Sequence, residues 1–477
     1  MTSTAVPGAP ARRRSAEMMG AAGSLLRLDR ERTRALVLLL AVVAVAAGVR
    51  IAWVVIVRAQ PVSDGLFYYM GAQSIVAGHG YRILGHPTAF FPVGYPAFLA
   101  ALFTVFGASA AVVRASGVAL WTLSAGLAYL VGLRLGKGRA PALIGGLVVA
   151  LYPDFIMMSG LTLSENLMAP MLLGLVLLLS SAPLRRISIK AALFAGALLG
   201  ASILVRSTAL LVPPVLAVAI VAAGRDRRRV AAAVALLAAC ALVVLPWVER
   251  NRLVMHADVL STNGGYTLFL GLNPEASGGV GVRGLRHEWS IQSVRSEVTS
   301  NAELTRQSFH WLLHDPAQFV MLVPRKAYYL FRWTSDQLLA NTYEQPGGVQ
   351  QEKFDRPLRG TERELLRWLI GQSTPLAWIQ YVYLVVAAAG LVLAVLRRLP
   401  AAVWAALLVG YWIVFHVTLI HGQARFLKSV TPLLAPFAAY AAVALVGLVL
   451  IALRRRSAEA ATAPETAPGD TAGRWEP

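Results

Sequence analysis

Six ionisable residues lie in or beside long apolar runs, where a charge is costly and a functional role is the first hypothesis. They are Asp64, Asp154, Glu165, Arg206, His421 and Arg425. A carboxylate in such a group can act as a general base toward a hydroxyl. An arginine presents a planar fork that suits a phosphate. The six residues are therefore the first candidates for a functional site.

Each carboxylate also has a structural interpretation. Asp64 precedes a segment with helical apolar spacing, so it is either a helix N-cap, a catalytic group, or both. Glu165 begins an apolar run after a short turn, where a helix N-terminus favours a negative charge. Asp154 follows Pro153 and is placed to pair with an arginine.

The cations have an alternative role as well. Arg206 and Arg425 stand at turns between apolar runs, where contact with anionic lipid headgroups would explain them without catalysis. Lys428 is a weaker candidate for a phosphate ligand because its ammonium is a point charge.

The sequence indicates no cofactor. His310 and His314 are spaced i, i+4, but the Glu of a zinc-protease motif and a third ligand are missing, so a divalent metal is possible but not indicated. The Gly-rich stretch 262–284 lacks the P-loop pattern and is interpreted as a substrate-contacting loop. Cys240 lies in an apolar run and is expected to be a buried hydrophobic residue.

The composition shows what must position these residues. Of the 477 residues 57% are hydrophobic and 14% are charged, which excludes an ordinary soluble enzyme. Runs long enough for a membrane helix predict an all-α polytopic membrane protein with about ten transmembrane helices. The predicted spans are roughly 35–57, 109–133, 140–157, 165–182, 190–205, 207–223, 230–246, 376–396, 401–420 and 430–453.

The net charge of +20 reflects orientation, not nucleic-acid binding. Basic clusters fall between the apolar runs, and placing both termini in the cytoplasm puts every cluster inside. The six ionisable residues then share the external face. The segment 318–333 has Arg325 and Lys326 at its centre, so it is expected to lie in the interface and not to span.

This orientation divides the chain into five parts in the inner (plasma) membrane. We expect residues 1–34 to form a basic cytoplasmic tail and 35–246 to hold seven spans, with the external loop 58–108 carrying catalytic residues. Residues 247–374 would form a mixed extracytoplasmic domain. Residues 375–453 hold the last three spans, and 454–477 are expected to be a disordered cytoplasmic tail.

Several strings of the sequence carry a family resemblance. They include "SDGLFYYMGAQSIVAGHGY", "FPVGYPAFLAALFTVFG", "ALYPDFIMMSGLTLSENL" and "LVRSTALLVPP". In this order and spacing they resemble the polyprenyl-phosphate-dependent glycosyltransferases of the GT-C type, which include protein O-mannosyltransferases and aminoarabinose transferases. The resemblance covers roughly residues 45–285, with a weaker trace at 410–440.

The resemblance implies an enzyme that moves a sugar from a polyprenyl-phosphate donor to a hydroxyl of a cell-envelope glycan, lipid or protein, on the outer face and with inversion. Asp64 matches the acidic residue of the first loop that acts as candidate general base, and Glu165 matches the second acidic position. Arg425 resembles the family's cation near the lipid phosphate.

The chain departs from the family at the phosphate-binding lysine, which "HPTAFFPVGYP" lacks. Other cations are therefore expected at the donor phosphate, namely Arg206, Arg58 and Arg82, together with Arg425 and Lys428. The candidates for substrate contact are Tyr68, Tyr95, Asp154, Asn263 and His421.

Two other function classes stay open. A glycan polymerase or ligase that uses polyprenyl pyrophosphate donors would also need external Arg and His. A multi-span lipid or solute transporter would place its ionisable residues near the midplane and often shows inverted repeats. In this chain the ionisable residues cluster at one face and no inverted repeat is detectable, which favours an enzyme over a transporter.

Overall fold

The computed structural model describes residues 9–136, 138–181, 183–224, 226–280, 292–333 and 360–462. Almost every element there is helical. The helices are α1 Ala9–Ile56, α2 Asp64–Val76, α3 Gly94–Phe106, α4 Ala110–Leu133, α5 Ala140–Leu151, α6 Pro153–Met158, α7 Glu165–Leu179, α8 Ile189–Val205, α9 Val212–Ala222, α10 Arg227–Met255, α11 Asn263–Gly271, α12 Val294–His314, α13 Pro316–Phe331, α14 Gly360–Gly371, α15 Ser373–Leu396, α16 Pro400–Thr418, α17 Ala424–Leu427 and α18 Thr431–Thr462.

The predicted fold class is confirmed. Six described helices are long and apolar enough to cross a membrane, namely Arg30–Ile56, Ala110–Leu133, Arg227–Met255, Ser373–Leu396, Pro400–Thr418 and Thr431–Ala458. The other four predicted spans correspond to shorter apolar helices, namely Ala140–Leu151, Glu165–Leu179, Ile189–Val205 and Ser207–Ala222. The chain is an all-α, multi-pass membrane protein. Helix α18 continues to Thr462, so residues 454–462 are helical where a disordered tail was predicted, and the rest of the predicted tail 454–477 lies outside the described residues.

The span predicted over 140–157 is broken. Helix α5 ends at Leu151 and α6 begins at Pro153. Proline has no N–H, so it cannot continue the backbone ladder to the carbonyl of Val149. Arg50 of α1, which is fully buried, donates to the Val149 oxygen at 2.7 Å and the Ala150 oxygen at 2.9 Å. Its guanidinium replaces the hydrogen bonds lost at the break.

The core is formed where α4, α5, α7 and α18 meet, and small residues allow these helices to approach closely. A Cβ at Gly145 of α5 would lie 2.8 Å from Cα of Pro436 in α18. A Cβ at Gly132 of α4 would lie 2.5 Å from Cα of Ala142 in α5. Both glycines are therefore needed for backbone contact inside the bundle.

Helix α13 covers the segment that was predicted to lie in the interface. Val320, Met321 and Tyr328 are exposed on it, whereas Lys326 is fully buried. The Lys326 ammonium donates to the carbonyl of Thr418 at 2.8 Å, at the end of α16. Burial lowers the pKa of Lys326 from 10.5 to about 7. In its protonated form Lys326 bonds to a helix C-terminus, where positive charge is favoured.

Residues 82–87 form a small antiparallel hairpin, β1 Arg82–Ile83 and β2 His86–Pro87. Its turn residues Leu84 and Gly85 have φ of 53° and 84°. Positive φ at both positions is the pattern of a type I′ turn, which matches the twist of paired strands. The hairpin fixes the chain between α2 and α3, just before the residues that reach the candidate site.

Candidate active site

Seven separate stretches of chain surround a cavity of about 320 Å³. Four of them are the start of α2, the turn between α8 and α9, helix α11, and the turn between α16 and α17. The other three contribute Phe91 with Pro92, Ser164, and Val280. Six of the residues singled out in the sequence line this cavity: Asp64, Tyr68, Arg206, Asn263, His421 and Arg425. Long-range folding therefore brings together side chains that the sequence places at separate turns.

Alternating charges connect these residues. Arg425 forms an ion pair with the carboxylate of Asp64, across 361 positions of sequence, and its Nε lies 3.7 Å from Oε1 of Glu165. Arg206 Nη1 lies 2.8 Å from the same Glu165 oxygen and donates to Oγ of Ser164 at 3.0 Å. Burial disfavours the Arg425 cation, but Asp64 and Glu165 outweigh this effect and raise its pKa.

Asp64 is the first residue of α2, and its carboxylate is one quarter exposed at 26%. Ser63 occupies the N-cap position with φ of 52° and forms no side-chain cap. Such a backbone costs about 1–3 kcal/mol for a residue with a side chain. The capping interpretation of Asp64 is not what the structure shows, because the carboxylate faces Arg425 and the cavity.

Aromatic rings form part of the cavity wall. Tyr68 meets Tyr95 edge to face at 5.2 Å, and Tyr95 is fully buried behind it. The guanidinium groups of Arg206 and Arg425 lie 5.1 Å and 5.5 Å from the ring of Phe426. Burial, followed by the nearby charge of Asp64, raises the pKa of Tyr68, which therefore stays protonated. Tyr68 can act as a hydrogen-bond donor at this wall.

His421 is buried at the turn between α16 and α17. Burial and the positive charge of Arg425 lower its pKa to about 4. The imidazole is neutral at neutral pH and can both donate and accept a hydrogen bond.

Glu165 is buried, at 1% exposed, directly behind the two arginines. It begins α7, as the sequence suggested. It pairs with both guanidinium groups but is not one of the cavity-lining residues. The position suits a group that orients cations.

Other predicted residues lie elsewhere. Asp154 and Lys428 form a buried ion pair that Gln380 completes at 2.9 Å from the ammonium, away from the cavity lining. Arg58 donates to the carbonyl of Val55 at 3.2 Å. The structure does not bring Asp154, Lys428 or Arg58 to the cavity.

Arg82 is also separate from the cavity. Its guanidinium donates to the carbonyls of His79 and Gly85, at 3.1 Å each, and so holds the hairpin turn. It lines a different, open cleft of about 600 Å³.

The Gly-rich stretch 262–284, which was predicted to contact substrate, contributes Tyr266 to the lining, although Tyr266 was not singled out within it. Sequence reasoning missed Gln423, which contributes a polar group, and Phe426, which supports both arginines. Tyr266 and Gln423 stand within two or three residues of Asn263 and Arg425, so the neighbourhood of each predicted residue was the available signal.

The described residues contain no group of three or more His, Cys, Asp or Glu side chains that could hold a metal ion. His310 and His314 stack on each other at 4.0 Å on α12, and His314 bonds to the carbonyl of His310. The charged groups of the candidate site are carboxylates and guanidinium groups.

A comparison with protein families bears on this site. Residues 90–248 match the family described as dolichyl-phosphate-mannose-protein mannosyltransferase. The match confirms the resemblance to GT-C type transferases that the motifs indicated. It contains Glu165 and Arg206, whereas Asp64 and Arg425 lie outside it. No curated protein matches the chain.

Solved structures similar to this chain include proteins from an archaeon and a bacterium. An oligosaccharyltransferase from Archaeoglobus fulgidus, in complex with zinc and sulfate, is 16% identical with a TM-score of 0.49, over 89% of this chain and 52% of that one. ArnT from Cupriavidus metallidurans, bound to undecaprenyl phosphate, is 15% identical with a TM-score of 0.42, over 91% of this chain and 66% of that one. The chain thus spans about half the length of the archaeal protein.

Proposed function

We propose that this protein is a membrane glycosyltransferase that moves a sugar from a polyprenyl-phosphate-linked donor to a hydroxyl acceptor. The acceptor is a glycan, lipid or protein of the cell envelope, and transfer takes place on the outer face of the inner membrane with both termini in the cytoplasm. The observation that carries the proposal is the cavity that Asp64 lines together with Arg206 and Arg425, with Arg425 in an ion pair with Asp64. The family match over residues 90–248 supports the same class.

The reaction needs one base and one anion site. The acceptor oxygen attacks the anomeric carbon and gives its proton to Asp64, acting as general base. The bond between that carbon and the phosphate oxygen breaks, and the phosphate leaves with the electron pair. Arg206 and Arg425 stabilise the charge that develops on it. A single displacement inverts the anomeric centre, and no carboxylate nucleophile is required.

The ion pair between Asp64 and Arg425 suggests how donor binding activates the base. In the ion pair a carboxylate oxygen of Asp64 is occupied by the Arg425 guanidinium. A phosphate entering the cavity competes for the donors of Arg425. We propose that the lipid phosphate draws Arg425 away from Asp64, so that the carboxylate oxygen is free to accept the proton of the acceptor hydroxyl when the donor is present.

Glu165 contacts both arginines but does not line the cavity. It contacts Arg206 at 2.8 Å and Arg425 at 3.7 Å. Its charge compensates two cations that burial would otherwise make costly. We therefore propose that Glu165 positions the arginines, while Asp64 touches the acceptor.

An assay on purified protein in detergent distinguishes a glycosyltransferase from a transporter and from a polymerase or ligase. We expect purified protein in detergent to release labelled sugar from undecaprenyl-phosphate mannose or a related monophosphate donor, with water or cell-envelope glycans as acceptor. A transporter would show no turnover without a sealed membrane. A polymerase or ligase would act on the pyrophosphate-linked donor and leave the monophosphate donor intact.

A further inference from the structure

Glu297 is a buried carboxylate that the proposed reaction does not use. It lies on α12, is 2% exposed, and is not one of the residues that line the cavity. Its carboxylate accepts hydrogen bonds from Thr88 Oγ1 at 2.8 Å, from the Ala89 N–H at 2.9 Å and from Thr262 Oγ1 at 2.5 Å. One side chain therefore holds two segments that are far apart in sequence.

Both segments continue directly into the cavity wall. The Thr262 N–H donates to the carbonyl of Ala89 at 2.9 Å, and the Asn263 N–H donates to the carbonyl of Phe90 at 3.1 Å. Beyond this junction the chain contributes these lining residues: Phe91, Pro92, Asn263, Tyr266 and Thr267. The junction that Glu297 closes thus fixes two walls of the site relative to each other.

Helix α12 supports the same junction at a second point. The Gly265 N–H donates to Oδ1 of Asn301 at 2.8 Å, and a Cβ at Gly265 would lie 2.2 Å from the Asn301 carbonyl oxygen. Helix α11 therefore packs on α12 backbone to backbone. On the other side, Arg250 donates to the carbonyls of Thr88 and Tyr81, at 2.9 Å each.

We propose that Glu297 is a positioning residue that sets the affinity of the cavity for the lipid phosphate. The inference rests on the proposed function, because it concerns the same cavity. Loss of the carboxylate leaves three buried donors without an acceptor, and an unsatisfied buried donor is costly. We expect the segments around Thr88 and Thr262 to move so that these donors find other partners. A displacement of about 1 Å in a site can lower a reaction rate about 100-fold. We expect a loss of up to the same size in binding affinity, because the displaced walls also line the cavity that binds the phosphate. Glu297 thus links the extracytoplasmic helix to substrate binding without touching the substrate.

Three variants on α12 test this assignment, with undecaprenyl phosphate as the probe and its Kd measured on purified protein. Glu297→Ala is expected to raise Kd about 10- to 100-fold. Glu297→Gln keeps one oxygen for Ala89 and Thr262, so it should restore Kd to within about threefold of wild type. Glu303→Ala is the matched control, since Glu303 is an exposed carboxylate on the same helix that pairs with Arg306, and its Kd should not change.

The Kd for undecaprenyl phosphate distinguishes a positioning role of Glu297 from a role in the stability of the fold alone. A purely structural role would lower the bound fraction and the thermal midpoint of Glu297→Ala while leaving the Kd of the folded molecules unchanged, and that result would overturn the inference. If Glu297→Ala does not fold, Thr262→Val removes one of the three donors, and Thr262→Ser restores it. An equal Kd for Thr262→Val and Thr262→Ser would likewise overturn the inference.

Binding of undecaprenyl phosphate to the wild-type protein tests the proposed function separately from the role of Glu297. If it does not bind undecaprenyl phosphate, the proposed function fails and the inference fails with it. If it binds, and Glu297→Ala binds with the same Kd, only the positioning role of Glu297 is overturned.

Discussion

Arg425 contacts the carboxylate of Asp64 and also lies 3.7 Å from Glu165, so one guanidinium connects two carboxylates from different helices. Asp64 begins α2, Glu165 begins α7, and Arg425 lies on the short helix α17. This connection places the proposed base next to the proposed anion site.

Arg425→Lys should reduce sugar transfer by about 100-fold or more, because a lysine keeps the charge but loses the fork that reaches two carboxylates. The rate of transfer from a polyprenyl-phosphate donor measures the effect. Arg306→Lys, at an exposed pair with Glu303, is the control and should keep wild-type transfer. Full activity in Arg425→Lys would show that a point charge suffices at this position.

Glu165→Gln should have opposite effects on binding and on turnover. Removing the buried charge leaves Arg206 and Arg425 with excess positive charge, so we expect tighter binding of undecaprenyl phosphate. Transfer should become slower, because the cations lose their fixed position and the product phosphate is held more strongly. Kd and kcat measured on the same preparation decide this, and weaker binding with unchanged kcat would contradict the role given to Glu165.

Arg50→Met should lower stability without changing the site. The substitution removes the donors to Val149 and Ala150 at the break before Pro153, and each unsatisfied buried carbonyl costs about 1–3 kcal/mol. The thermal midpoint in detergent is expected to fall, whereas the Kd for undecaprenyl phosphate stays the same. Arg228→Met, at an exposed position, should leave the midpoint unchanged. An unaltered midpoint in Arg50→Met would show that water or lipid replaces these bonds.

The burial of Lys326 should make the free energy of unfolding depend on pH. Its pKa is about 7 in the folded protein and 10.5 as the ordinary value, so between these pH values the unfolded chain binds more protons. Stability should therefore rise with pH across this window, by at most about 1.4 kcal/mol per unit, and the cost is fully present below pH 7. Thermal midpoints measured from pH 7 to 9 check this. Lys326→Met should flatten the slope, whereas Lys190→Met, at an exposed position, should keep it.

Much of this architecture follows from the sequence because hydrophobic runs report directly on membrane helices. The grouping of Asp64, Arg206 and Arg425 was also predictable, since basic clusters fix orientation and orientation places all three at one face. Which carboxylate meets which arginine was not, because the partners come from helices whose packing no local pattern encodes.

The roles of two residues could not be predicted from the local sequence. Arg50 is a charged residue inside a predicted span, and its burial is explained only by the break before Pro153 in a neighbouring helix, whose carbonyls it binds. Glu297 reads as an ordinary acidic residue in a polar segment, because the hydroxyls of Thr88 and Thr262 that it binds lie far away in sequence. Buried polar groups are satisfied by tertiary partners, and these become visible only in the folded chain.

The most direct test of the account is the rate of sugar release from radiolabelled undecaprenyl-phosphate mannose or a related donor by Asp64→Asn in detergent. General-base catalysis contributes about 100- to 10,000-fold, so we expect a loss in that range with lipid-phosphate binding retained. Asp226→Asn, at an exposed carboxylate that pairs with Arg229, is the matched control and should act like wild type. Transfer by Asp64→Asn at the wild-type rate would contradict the assignment of Asp64 as the base.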